Sequence, residues 1–585
     1  MQETEYSHRT DSVARKVELL GQALRNGRHD LARSLAASIK DTITFRQQIE
    51  QQPEPAVVAA NATHAVDDLH APWRNWAAGW RYFEPFALDE TVGLARDGEP
   101  IEIAVSLPAD HAASLFRDVR LVRVEPGSGE LREVPRQFVS EIQRDGRRHG
   151  GLLFQADSEA HSRTVYLLFY GNPDAELPDF ASDLRVTGEG YGLDIENRYY
   201  QASLSRQMGQ LESLKYKQGG GLELLARGDG HGEPPGIDWA HDYVTSGAYQ
   251  KMRVTNWAGC PDYEVIRGPL CLIVRRWGFP HSTVHPLFTP SRMFITVEYR
   301  FFAGTPYFTK RGTMEAIQEL DITYLRDDEW VFSNGPFTDL IWMGSDGKLR
   351  SGEVDDAHKD DLWSIGFFNA QSRDAFIALF LQHEAENFDG LKHSGAPTLK
   401  YEYGGQLWSR WAARGNPTLQ AGAKLKQHNA YLTIPFPENG GRQIVEEFRH
   451  RLMNPLAPSA SELPDVAAAA SPGSLARAGE NADNAVPKET IWQALREVRD
   501  MQLYKIDANA VDMGYVYDVR VRGDVVHVVM TMPHRGRPKF GFIGSPIRER
   551  LLKIPGVRDV QIENVWNPPW DANRLSEKAR TMFGF

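Results

Sequence analysis

Cysteine is nearly absent: the 585-residue chain carries two, Cys260 and Cys271. That excludes a disulfide framework and a paired-cysteine zinc site, which need several cysteines at set spacings. Both thiols read as buried. No run approaches the roughly 18 consecutive apolar residues that a membrane-crossing helix needs, and the polar opening MQETEYSHRTDS lacks the apolar core of a secretory signal. The expectation is a cytoplasmic chain with no membrane partner. Basic charge is also scarce. Lys and Arg number 66 against 78 Asp and Glu, a net charge of −12, so there is no basic field to gather phosphates and nucleic acid is not an expected partner. Missing too are a Walker loop, a dinucleotide fingerprint, a nucleophile elbow and a His-Glu-x-x-His motif, each of which would point to a specific chemistry.

What is present suits β structure. Hydrophobic residues make up 41% of the chain and aromatics 10%, enough for several cores, while 50 Gly and 34 Pro provide many turns between short strands. At this length three or four structural units are expected. The spacing of Val13, Val17, Leu20, Leu24, Leu31, Leu35, Ile39 and Ile43 predicts one or two amphipathic helices within 1–51, of the kind that dock onto a partner subunit, a second copy or the body of the protein. Alternation at Ile101, Ile103 and Val105, with the run Thr164–Gly171, predicts a β-sandwich over 73–180. Runs such as MRVTNW, PLCLIVRRW, MFITVEYRFF, AFIALFL and AYLTIPF predict a larger β-sandwich over 184–455. An Ala-, Pro- and Ser-rich stretch at 456–488 reads as a flexible linker. A compact α+β unit follows over 489–585, with a helix at ETIWQALREV, a hairpin turning at Gly523-Asp524, a helix at Ser545–Ile554 and a strand at Val557–Ile562.

The last unit resembles the metal-sulfur cluster assembly family, which includes iron–sulfur assembly factors and a phenylacetate-degradation protein. The run Val511-Asp512-Met513-Gly514-Tyr515-Val516-Tyr517-Asp518, the strand ending Met530-Thr531, Ile554-Pro555-Gly556-Val557 and Val565-Trp566-Asn567-Pro568-Pro569-Trp570 with Leu575-Ser576 carry the likeness. Family members in cluster chemistry have a Cys-Pro pair shortly after the Thr-terminated strand. Here that place reads Gly536-Arg537-Pro538, and arginine offers no thiolate. The resemblance therefore implies a docking or oligomerisation module, with an iron–sulfur cluster not expected at Arg537. Flanking His534, Arg535 and Lys539 would suit an anionic ligand or an acidic partner surface.

The central region, through Leu193–Asn197, Tyr200–Leu204, Gly209–Leu214, Val265–Leu270 and Ile295–Arg300, is similar to the large β-sandwich of polysaccharide lyases and related carbohydrate-active enzymes. The polar aromatic stretch Asp238–Tyr243 reads as a loop after Pro234-Pro235-Gly236. In it His241 or Tyr243 would serve as general acid or base and Asp242 as its orienter. Trp239 and Tyr403 would stack on a sugar ring, Arg275 and Arg311 would receive a substrate carboxylate, and Arg276 would act as an anion clamp. His383 with Glu384 would form a second acid/base pair or, joined by His393, divalent-metal ligands. The leading expectation is an enzyme that acts on a carbohydrate-like or oxygenated small molecule by lyase, isomerase or hydrolase chemistry. A non-catalytic subunit of a larger assembly is the alternative, and metal-cluster delivery is a third.

Overall fold

The computed structural model describes most of residues 63–217, 262–278, 293–395, 406–460 and 486–583, the helix Ser12–Arg25 with a few residues after it, and the short strands Tyr6–Ser7, His241–Val244 and Gln250–Arg253. The architecture is mainly β, and the named strands of the first two sandwiches pair antiparallel. No helix among the described residues is long and apolar enough to cross a membrane.

The N-terminal sandwich sets one sheet, Tyr82–Asp89, Arg163–Tyr170, Val119–Val124 and Leu131–Glu133, against a second built on Arg96–Pro108 and Arg147–Ser158. Successive strand residues point to opposite faces, and Ile101, Ile103 and Val105 meet Phe86, Leu88 and Tyr166 in the core between the sheets. Trp73, on the short helix Ala71–Trp76, packs against the first sheet's outer face and donates its indole N–H to Gly129 O at 2.8 Å.

The central region is a ten-stranded antiparallel sheet. Its middle runs Cys271–Gly278, Met293–Phe302, Tyr307–Ala316, Lys424–Leu432, Ala375–Glu386 and Ser364–Phe368. One face packs against a six-stranded sheet containing Leu320–Phe332 and Gln406–Arg414, and against a meander of four strands between Arg185 and Tyr216. The reverse face packs on Val139 and Leu153 of the N-terminal sandwich and on Val445 of the helix Gly441–Met453. The two β regions thus share a hydrophobic core. Burial on both sides explains why Ala375–Leu381 is apolar at every position rather than at alternate ones.

Charges also cross this boundary. Arg300 bonds Glu298 at 2.6 Å and also Glu102 of the N-terminal sandwich, and Gln137 Nε2 donates to Cys271 O at 2.9 Å. The stretch that reads as a linker begins as a strand: Ala457–Ala460 pairs with Tyr82–Asp89, and Ser459 Oγ donates to Asp89 Oδ2 at 2.9 Å. An edge strand with open N–H and C=O groups accepts such an addition even from a Pro-containing segment. Residues 461–485 lie outside those described.

The C-terminal unit has a three-stranded sheet, Val516–Arg522, Val525–Met530 and Asp559–Asn564, the last pair parallel, with helices Lys488–Leu495 and Pro538–Leu552 packed on it around its own core. The second helix starts seven residues before the position expected from sequence, because Gly541, Gly544 and Pro546 mask its first turns. Gly514 adopts φ +65°, and a Cβ there would lie 2.4 Å from Arg574 O. Only glycine permits this close approach of the Met513 and Arg574 segments.

Candidate functional site

Antiparallel register carries polar side chains across the inward face of the ten-stranded sheet. Lys310 lies opposite Asn429, Gly312 opposite Gln427, and Gln427 opposite His383. Gln427, Asn429 and Tyr431 alternate along one strand, so all three point at the facing sheet. From that sheet Asp328 reaches back. Its Oδ1 accepts from Lys310 Nζ at 2.9 Å, and its Oδ2 accepts from Tyr431 OH at 2.6 Å and Asn429 Nδ2 at 3.2 Å. Lys310 and Asp328 are fully buried. Asn429 Nδ2 also lies 2.5 Å from Gln427 Oε1, while Asn429 Oδ1 is buried with no hydrogen-bond partner among the described residues. Burial, reinforced by the Asp328 charge, pushes the Tyr431 phenol well above its ordinary pKa, so Tyr431 stays protonated and remains a donor.

The polar layer continues to the sandwich edge through two imidazoles. His383 Nδ1 and His393 Nδ1 are 3.3 Å apart, a contact that requires one of them to carry a proton on that nitrogen while the other accepts. His383 is buried and His393 half-buried. Trp363 packs on His393 with ring centroids 4.6 Å apart, and its indole N–H donates to Asp361 at 3.0 Å. The arrangement is a seam of proton donors and acceptors running from a half-buried imidazole inward to a carboxylate, a phenol and an ammonium. Such groups can bind hydroxyl-bearing ligands and move protons.

Of the residues singled out from sequence, His383 and His393 are brought together. Glu384, next in the strand, points to the opposite face, so the expected three-residue metal set does not converge. Among the described residues no group of three or more His, Cys, Asp or Glu is placed to hold a metal ion. Arg276 is buried on the seam's face with its guanidinium 5.5 Å from the Tyr299 ring. Arg275 points the other way, bonded to Glu298 and to Glu264 at 2.8 Å, and Arg311 is exposed opposite Glu298. His241, Asp242 and Tyr243 do not lie in a loop. They form a strand between Gln250–Arg253 and Leu320–Phe332, whose backbone ladders outweigh the upstream Pro-Pro-Gly signal. Trp239, Tyr403 and Arg537 fall outside the described residues.

Sequence reasoning missed Lys310, Asp328, Gln427, Asn429 and Tyr431. Their available signal was the alternation Gln427-x-Asn429-x-Tyr431 inside an otherwise buried strand. It also missed His358, whose Nδ1 lies 2.6 Å from Asp355 Oδ1 beside Trp342, a spacing visible as Asp-x-x-His. The His358 hydrogen bond holds the Asp355 carboxyl below its usual range.

Residues 488–563 match the family described as iron-sulfur cluster assembly protein. An Fe-S protein maturation auxiliary factor from Bacillus subtilis is 35% identical over 98 residues, which is 17% of this chain and 93% of that protein. In fold, the chain is similar over 75% of its length to an alpha-mannosidase from Enterococcus faecalis, with 11% identity and a TM-score of 0.42, and it spans 50% of that chain. A galactose mutarotase-like protein from Lactobacillus casei is matched over 41% of this chain and 99% of its own, with 12% identity and a TM-score of 0.28.

Proposed function

The chain belongs to the iron–sulfur cluster assembly protein family through residues 488–563, and from that premise we propose an enzyme in two parts. The central sandwich performs acid/base chemistry on a carbohydrate-like or otherwise oxygenated small molecule. The C-terminal domain docks this enzyme onto a partner protein. The observation that carries the reading is the seam from His393 and His383 to Asp328, where a sandwich core would ordinarily be apolar. In this reading the imidazole pair exchanges a proton with the ligand, and Asn429 and Gln427 orient hydroxyl groups. The helix Ser12–Arg25, on which Val17 and Leu24 are exposed, is a second docking element for a partner or another copy.

The test is turnover by the pure full-length chain on a panel of aldoses, uronates and glycosides, followed by proton NMR. Conversion of at least one compound, reduced about 10²–10⁴-fold in His383→Gln with an unchanged melting temperature, is the expected result. No conversion across the panel, or full activity in His383→Gln, would remove the enzyme reading.

The family membership favours a second reading, service in iron–sulfur protein maturation with the cluster as cargo. Arg537 stands against direct ligation at the expected place. Anaerobic incubation with iron and sulfide separates the two: a chain that acquires a stoichiometric chromophore supports cargo handling, and one that does not supports docking alone.

A further inference from the structure

The open end of the N-terminal sandwich holds a second group of polar and aromatic side chains. Tyr82, Glu84, Phe86 and Leu88 share the inward face of one strand; Phe86 and Leu88 are buried, whereas Tyr82 and Glu84 are half-buried at the mouth. Tyr170, directly opposite Tyr82, places its hydroxyl 2.9 Å from Thr63 Oγ1 and 3.1 Å from Glu84 Oε1. The Thr63 hydroxyl lies 3.3 Å from the same Oε1. Both hydroxyls therefore converge on one carboxylate oxygen, and Oε2 accepts no hydrogen bond among the described residues.

The Arg147 guanidinium lies near enough to the same mouth for its charge to act on both Glu84 and Tyr170. Its Nε donates to Ser106 Oγ at 2.8 Å and one terminal nitrogen to Ser106 O at 2.5 Å, which fixes the fork; the other terminal nitrogen makes no hydrogen bond among the described residues. Burial raises the Glu84 carboxyl above its usual range, opposed by the Tyr170 and Thr63 hydrogen bonds and by the Arg147 charge. His111 stacks on Tyr82 with centroids 4.0 Å apart and planes 14° from parallel, and its Nδ1 is buried without a partner among the described residues. The contact depends on Gly171, at φ +83°, where a Cβ would come within 2.8 Å of the Tyr82 ring.

We propose that this mouth is a binding subsite for a neutral polyhydroxylated ring, a sugar residue, held by Glu84 and Arg147 beside the Tyr82–His111 stack. The chemistry selects the class. An anion would meet the Glu84 carboxylate and a cation would meet Arg147, so neither charge is favoured. An apolar ligand would strip water from Glu84 Oε2 and return no donor. A pair of neighbouring hydroxyls satisfies both groups, one donating to the carboxylate and the other accepting from the guanidinium, while the C–H groups of a sugar ring pack against the apolar body of the neighbouring aromatic pair. This subsite lies in a different sandwich from the seam and does not rest on the central enzyme reading.

Titration of the full-length protein with D-mannose and with D-galactose, using glycerol as the acyclic control and saturation-transfer NMR as the readout, tests it. At least one hexose is expected to saturate and glycerol is not. Glu84→Gln and Arg147→Met should each weaken binding about tenfold or more, whereas Lys359→Met, on the exposed surface of the central region, should leave it unchanged. Melting curves of the two subsite variants check that each remains folded. Failure of both hexoses to saturate, or binding that survives Glu84→Gln and Arg147→Met, would overturn the proposal. Binding lost only in His383→Gln would assign the ligand to the central seam and overturn it equally.

Discussion

Replacing Lys310 with Met probes how the seam is held. Lys310 Nζ and Asp328 Oδ1 are 2.9 Å apart with both side chains fully buried. Two unit charges about 4 Å apart attract by about 4 kcal/mol at an effective dielectric of 20, but each ion has surrendered hydration worth several kcal/mol. The net value of the intact pair is therefore small. Removing one partner is different. Asp328 would keep Tyr431 at 2.6 Å and Asn429 at 3.2 Å, yet lose the ammonium bonded to its Oδ1, and breaking a buried pair from one side costs about 3–5 kcal/mol. A buried carboxylate that loses a bonded ammonium takes up a proton more readily than before, so the loss should shrink on acidification. Urea unfolding followed by tryptophan fluorescence reports on this region, since buried Trp330 lies in the same core. At pH 7 Lys310→Met should lose about 3–5 kcal/mol, with a smaller deficit at pH 5. Adding Asp328→Asn should recover part of it, giving a coupling energy above about 1 kcal/mol. A deficit below about 1 kcal/mol at both pH values, or strict additivity in the double variant, would refute the account of a charge pair locking the seam.

Two further expectations concern the rest of the fold. Burial opposes the charge on Glu298, but Arg300, Arg275 and Arg311 outweigh it and hold the carboxyl below its usual range. A depressed folded pKa contributes stability above the unfolded value of about 4.3 and loses it as pH falls through the folded one. Glu298→Gln should therefore be less stable than the parent at pH 7, with the deficit fading below about pH 4 in thermal melts; a deficit constant down to pH 3 would contradict this. In the C-terminal domain, Gly514→Ala forces a Cβ into Arg574 O at an unfavourable φ and should cost about 1–3 kcal/mol. Amide exchange should quicken in Val516–Arg522 and Val525–Met530 and stay unchanged in the central sheet, and equal exchange everywhere would refute the local argument.

The fold was legible where periodicity is local. Ile101, Ile103 and Val105 announce their strand, the unbroken Ala375–Leu381 run announces another, and the alternating segments Val516–Arg522 and Val525–Met530 pair antiparallel with each other. The seam was not legible, because it is made by register between distant segments. Asp328 is 101 residues from Asn429 and approaches from the opposite sheet, and nothing in either strand specifies that meeting. The ten-residue gap between His383 and His393 displays two ligand-type residues but not that they stack T-shaped at 4.5 Å while Glu384 turns away. The same reasoning explains the strand at His241–Val244, where a local loop signal upstream was outweighed by two partner strands contributed from elsewhere. Residue types are local information, whereas a functional constellation in a β-sandwich depends on which rows of which strands come into register. A polar residue at every second position of an otherwise buried strand, as at Gln427, Asn429 and Tyr431, is the local trace that such a row leaves.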